Sequence, residues 1–461
     1  MNWEQVPNHV DGKDVPAASG EWLDKFRPAD ASLLTQLARS GPADVDAAVA
    51  AAHRAQPGWA DRTVVSRGDL CREIALALRS HREELSELVA AETGKSIDAA
   101  RGETDAAIEM GFFTAGEGRR YYGRTTTASM EHRTVLTMRQ PLGVAGLLIS
   151  FNTPLPNVAW KVFPAILCGN ACVLKPSEHT PASAHAFATT CREAGLPDGV
   201  LNVVQGLGSE AGAALVEHPG VDLVSFTGSA ATGRRINETA GRRLAKVCLE
   251  LGGKNALVVC DDAALDNAVR WALASAFSNA GQRCAAASRI VVFDPVYDEF
   301  RSRFLAEARE YDPGPVISEE ALARLVEAGA ERIDRPGYWV EPTVLEGIAP
   351  DAELSCRELF GPITILYPVG DLDEAVSLVN DSPYGLTAAI HTASIHRAMR
   401  FAEQAQAGVV VVNGGTHGSE PHMGFGGVKQ SGTGWREAGV EALDVYSDWK
   451  YVNLIADPAK A

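Results

Sequence analysis

Between Gly143 and Val412 short apolar runs recur with helix-compatible segments between them, and this alternation limits the chain to few folds. Residues 144–150, 171–175, 201–205, 222–226 and 246–251 read as strands. Strand and helix in alternation make βαβ units, whose parallel sheets usually bind ligands beyond the carboxyl ends of the strands. A second series follows at 256–260, 289–293, 363–367, 387–390 and 409–412, so two α/β domains are expected to meet near Gly252-Gly253. Ahead of them, residues 43–120 carry helical spacing, with Leu70, Ile74, Leu78, Leu85 and Leu88 on apolar faces, and predict a helical layer. Residues 124–139 lean toward β structure and predict a protruding hairpin, whereas 450–454 predict a strand in need of a partner.

The 461 residues exceed one ordinary core, and 46% hydrophobic against 22% charged residues excludes disorder. No apolar run reaches the roughly 18 residues of a membrane span. The net charge of -17 argues against a nucleic acid or an anionic membrane as partner. Residues 1–10 lack a basic start followed by an apolar core, and the eight scattered cysteines form no disulfide spacing, which fits a reducing cytoplasm.

One cysteine stands apart from the others. Cys284 lies in Ala280-Gly281-Gln282-Arg283-Cys284-Ala285, where a glycine turn and a guanidinium flank a thiol, a setting suited to a nucleophile. Glu250 ends an apolar run just before Leu251-Gly252-Gly253. Burial there would raise its pKa and let it take a proton from water near neutral pH; the competing reading pairs it with Lys254. Asn152, after the strand at 144–150, is either an amide donor to a developing oxyanion or a helix-capping residue. Lys175-Pro176-Ser177-Glu178 ends another strand, as ribose ligands with an acid that repels a 2′-phosphate, or as a solvated pair. The segment 226–233, Phe-Thr-Gly-Ser-Ala-Ala-Thr-Gly, joins strand to helix and offers free N–H groups to a phosphate, but neither it nor 206–212 fits G-x-G-x-x-G. Glu358-Leu359-Phe360-Gly361-Pro362 is ambiguous on its own.

In order along the chain, these segments, together with Phe425-Gly426-Gly427-Val428-Lys429, resemble the aldehyde dehydrogenase superfamily from about Val45 to Val452. The 34 residues between Glu250 and Cys284 match the family as well. The resemblance implies a Rossmann-like cofactor domain (1–123 and 141–252), a catalytic domain (253–436) and a β oligomerisation element (124–140 and 437–461) in a homodimer or homotetramer. It implies oxidation of a small-molecule aldehyde to the acid with NAD, NADP being the second candidate cofactor, and no metal. Cys284 would attack the carbonyl, Asn152 and the Cys284 N–H would hold the oxyanion, and water activated by Glu250 would hydrolyse the thioester. Lys175, Ser177 and Glu178 would hold the adenosine ribose, Gly208, Gly228, Ser229, Gly233 and Leu251 the middle of the cofactor, and Glu358 with Phe360 the nicotinamide ribose.

Two departures stand out against the family pattern. Residues 311–336 are short, which bears on the outer surface and the tunnel entrance, and Asp448 stands where many members have a glutamate that relays protons with the lysine matched by Lys161. Trp160, Phe277, His417 and His422 match tunnel-lining regions, and Arg283 beside the nucleophile resembles subfamilies acting on aldehydes that bear a carboxylate or phosphate, forked anions that a guanidinium suits. Two other functions stay open: a CoA-acylating semialdehyde dehydrogenase, against which Glu250 speaks, and an inactive binding or structural protein with this fold.

Overall fold

A computed structural model describes residues 4–456; residues 1–3 and 457–461, the ends of the expected cofactor domain and oligomerisation element, lie outside the described residues. Four helices, α1 (Pro42–Ala60), α2 (Val64–Ser80), α3 (Arg82–Thr93) and α4 (Ile97–Glu117), form the expected layer. Ile74, Leu78, Leu85 and Leu88 are buried in its core. Side-chain caps start two of them: Thr63 accepts from the Ser66 N–H, and Ser96 from the Ala99 N–H. Gly94, with φ of 79°, ends α3, leaving Lys95 between a left-handed stop and a capped start.

The first sheet contains β1 (Asn8–Val10), β2 (Lys13–Val15), β3 (Val144–Leu148), β4 (Ala171–Lys175), β5 (Leu201–Val203), β6 (Leu223–Thr227) and β7 (Lys246–Glu250). Its order is β7-β6-β3-β4-β5-β1-β2. Strands β3 to β7 run parallel and β1 and β2 antiparallel. Every residue of β3 and β4 is buried, because helices such as α5 (Pro154–Leu167) cover the sheet. β1 and β2 carry one apolar side chain each, Val10 and Val15, too few to show a period in the sequence.

The second sheet is wholly parallel: β8 (Asn255–Val259), β9 (Ala287–Phe293), β10 (Thr343–Leu345), β11 (Ile363–Val369), β12 (Thr387–His391) and β13 (Val409–Val412), in the order β10-β11-β9-β8-β12-β13. Only Leu251 to Lys254 separate the carboxyl end of β7 from the amino end of β8. The carboxyl edge of the first sheet therefore faces the amino edge of the second, where the turns leading into β9 and β11 lie. The carboxyl-end rule thus holds for the first domain alone.

The hairpin strands Thr125–Thr126 and Arg133–Pro141 pair as expected, and the strand Ser447–Ile455 runs antiparallel to the second, from Ser447 opposite Pro141 to Ile455 opposite Arg133. The C-terminal strand finds its partner within the chain and leaves its other edge open. All eight cysteines are free thiols. Among the described residues no helix is long and apolar enough to cross a membrane.

Candidate active site

A cavity of about 1180 Å³ lies where the two sheet edges face each other. Asn152, Glu250 and Cys284 all border it, although they come from three separate elements: the turn after β3, the end of β7 and the turn before β9.

The turn carrying Cys284 is built from successive left-handed residues, Asn279, Ala280 and Gly281, with φ of 56°, 53° and 64°. A side chain at Gly281 would collide with the Gly361 carbonyl, so only glycine allows the turn to pack on the Glu358–Pro362 segment. Gln282 braces the turn from behind, since its carboxamide oxygen accepts from the Ile317 N–H at 2.9 Å, while the Ala280 N–H donates to the Pro313 carbonyl at 2.7 Å. The shortened region at 311–336 thus supports the candidate nucleophile's turn, and it keeps one helix, Glu319–Glu327. Asn255 donates to the carbonyls of Cys284 (2.8 Å) and Ala286 (2.9 Å), tying the turn to the start of β8. Burial pushes the Cys284 thiol up to about 12; the carboxylates of Glu358 and Glu250 add to this, and Arg283 opposes it.

Glu250 is 3% exposed, and neither carboxylate oxygen has a hydrogen-bond partner. It is not paired with Lys254. Burial first, and the nearby Glu437 carboxylate second, hold its pKa well above the ordinary range, against Lys161 and Arg436. Its position comes from a clip across the domains: Gly432 bridges Glu250, the Leu251 N–H donates to the Ser431 carbonyl at 2.9 Å, and the Leu249 N–H donates to Thr433 Oγ1 at 3.1 Å.

The expected partnership of Lys161 with Asp448 is not found. Lys161, fully buried on α5, is ion-paired with buried Glu437 and donates to Ser225 Oγ at 2.8 Å. Ser225 Oγ in turn donates to Glu437 Oε1 at 2.7 Å, and the Tyr446 hydroxyl donates to Ser225 at 3.2 Å. Asp448 stands on the Ser447–Ile455 strand with its side chain 55% exposed, 3.5 Å from Lys246 Nζ. No local signal in the sequence marks Glu437, which reaches Lys161 from 276 residues away.

Ser177, Lys175 and Glu178 form part of the cavity wall, with Lys175 Nζ 3.3 Å from Glu178 Oε2. Gly208, Gly228, Ser229 and Leu251 also line it. Ser229 caps the helix Ala230–Gly241 by accepting from the Thr232 N–H, so the positive helix end faces the cavity. Gly233 does not line it; one turn into that helix, it packs against Leu251. Glu358 and Phe360 border it too. Glu358 accepts from the Gly253 N–H at 3.0 Å, burial pushes it up to about 7, and a side chain at Gly252 would displace it. A cavity bordered by a helix N-terminus, by a buried Thr227 hydroxyl lacking a partner, and by the acids Glu178 and Glu358 fits a dinucleotide.

Arg283, Trp160 and His417 line the same cavity as Cys284. Arg283 donates to Ser278 Oγ at 3.1 Å and lies near Glu103. Trp160 packs on Phe425 with ring centroids 5.5 Å apart. Burial brings His417 down to about 4, helped by Arg283, so its ring is neutral. Two expected tunnel residues lie elsewhere. Phe277 is fully buried in the second domain's core, stacked on Phe304 at 5.9 Å, because it ends the apolar face of the helix Leu265–Phe277. His422 is exposed beside Glu420. Lys95 and Glu103, which no local sequence pattern marks, form a buried ion pair at the cavity wall.

Fold and site define a two-domain α/β enzyme with a candidate cysteine nucleophile at the domain boundary. The aldehyde dehydrogenase family model matches residues 15–452. The chain is 38% identical to the mitochondrial aldehyde dehydrogenase of Leishmania tarentolae, over 96% of this chain and 94% of that protein. It is 36% identical to the alpha-ketoglutarate semialdehyde dehydrogenase of Haloferax volcanii, over 96% and 98%. The crystal structure of an NAD-dependent aldehyde dehydrogenase from Sinorhizobium meliloti superposes with a TM-score of 0.94 at 34% identity, covering 98% of this chain and 95% of that one. That of betaine aldehyde dehydrogenase from Staphylococcus aureus in complex with NAD+ also gives 0.94, at 31% identity over 98% and 95%. The chain belongs to the aldehyde dehydrogenase family.

Proposed function

We propose that the protein oxidises an aldehyde to the carboxylic acid through a thioester on Cys284, with NAD preferred to NADP. The observation that carries this reading is the convergence of Cys284, Asn152 and an unpartnered, buried Glu250 on one cavity. The Cys284 thiol, held neutral by burial, gives its proton to solvent as sulfur attacks the carbonyl carbon. The Asn152 amide and the Cys284 N–H take the oxyanion. Bound NAD supplies the hydride acceptor, held by Lys175, Ser177 and Glu178, by Gly208, Gly228, Ser229 and Leu251, and by Glu358 and Phe360. Collapse of the tetrahedral adduct, with loss of hydride, leaves the thioester. Glu250 then takes a proton from water, whose oxygen forms the C–O bond as the C–S bond breaks. The neighbouring Glu437 carboxylate favours the proton on Glu250 and the Lys161 ammonium opposes it, so this buried pair tunes the base.

Arg283, on the same cavity as the thiol, favours an aldehyde carrying an anionic group, and the semialdehyde-oxidising relative from Haloferax volcanii is in keeping with it. The open edge of the strand Ser447–Ile455, with Tyr451 and Ile455 exposed, suits a second copy of the chain in a homodimer or homotetramer. Assay of NADH formation with NAD or NADP, with and without CoA, tests the reaction. The expected result is NAD-linked turnover without CoA that Cys284→Ala abolishes; strict CoA dependence contradicts it. Arg283→Ala should cost turnover of carboxylated aldehydes more than of neutral ones, and equal losses would remove the anion-binding role.

A further inference from the structure

An amide that receives an oxyanion works only if its own main chain is held against the nucleophile. The carbonyl oxygen of Asn152 accepts two hydrogen bonds from side chains distant in sequence: Lys95 Nζ at 2.8 Å and Asn279 Nδ2 at 3.2 Å. Lys95 is 8% exposed, and its buried ammonium is made tolerable by the ion pair with Glu103 on α4, which leaves a further proton free for Asn152. Asn279 gives one amide proton to Asn152 and the other to the Gln282 carbonyl at 3.2 Å, two residues before Cys284. Asn279 and Ala280 are non-glycine residues in the left-handed region, a geometry that persists where surrounding contacts over-determine it, and the Asn279 bonds are among those contacts.

We propose that Lys95 and Asn279 are positioning residues that clamp Asn152 against the Cys284 turn, so that amide and thiol address the same carbonyl group. This rests on the oxyanion role proposed for Asn152. Lys95 ties Asn152 to the helical layer through Glu103, and Asn279 ties it to the second domain. Together they fix the residue at the seam between the domains. A reacting group displaced by about 1 Å loses on the order of 100-fold in rate.

The test is a double-mutant cycle on kcat with one aldehyde and saturating NAD, using Asn152→Ala, Lys95→Met and Asn279→Ala alone, and each clamp substitution combined with Asn152→Ala. Expected are losses in kcat of about 10- to 100-fold in each clamp variant, an unchanged KM for NAD, and double variants no slower than Asn152→Ala alone. Alkylation of Cys284 by iodoacetamide, which needs no oxyanion site, should proceed at the native rate in Lys95→Met. Losses that add in full, slowed alkylation, or native kcat in both clamp variants would overturn the proposal. Native turnover in Asn152→Ala would instead overturn the oxyanion role on which it rests. If Lys95→Met fails to fold, the Asn279→Ala arm, which leaves no buried charge unpaired, decides alone.

Discussion

Replacing Glu250 by glutamine separates the two halves of the proposed reaction. Glutamine keeps the volume and the main-chain clip at Ser431–Thr433 but removes the proton acceptor. A positioned general base contributes about 10²- to 10⁴-fold, which corresponds to about 2.7–5.5 kcal/mol. Formation of the thioester should not slow, because the Glu250 charge is itself one of the causes that hold the Cys284 thiol up. Stopped-flow measurement of NADH should therefore give a burst of about one equivalent per site at an undiminished rate, then a steady rate lower by that factor. The same substitution has a signed effect on stability. A carboxyl whose folded pKa is raised contributes stability that is full below its unfolded value and lost as pH rises through the folded one. Glutamine lacks that loss. Glu250→Gln should resist urea better than the native chain at neutral pH, with the gap closing near pH 4, about the unfolded pKa. A burst that falls with the steady rate, or a steady rate left unchanged, would refute the reasoning.

Phe277→Ala should cost about 3–5 kcal/mol of stability by opening the second core, with KM for the aldehyde unchanged; a raised KM with native stability would return Phe277 to the tunnel. Glu437→Gln should shift the acid limb of the kcat–pH profile to lower pH, since a negative neighbour of Glu250 is lost, and should destabilise by about 3–5 kcal/mol by leaving Lys161 buried and unpaired. Asp448→Asn, on the exposed strand, should leave the profile in place and cost less than about 1 kcal/mol.

Much of this could be read from residue patterns because the parallel strands are buried on both faces, so β3 and β8 appear as unbroken apolar runs. Glu250, Cys284 and Glu358 sit at strand ends or in glycine-marked turns, where sequence carries a backbone signal. Other features depend on contacts that no local pattern records. Glu437 meets Lys161 only because segment 424–437 folds back over the first domain, and the aspartate on the C-terminal strand resembled that acid only by its place in the chain. Phe277 lies seven residues before the thiol, yet a helix end turned inward buries it in the core. Lys95 showed no sign of its partners, since its ion pair and its bond to Asn152 both arise from packing of α4 against the turn after β3.

A thioester at Cys284 is the central intermediate of the proposed reaction. Glu250→Gln enzyme, mixed with NAD and a competent aldehyde, quenched in acid and digested, should yield the peptide containing Cys284 with the mass of the acyl group added. Hydroxylamine should remove that mass. An acyl group on another residue, or turnover with no adduct at any residue, would contradict the central claim.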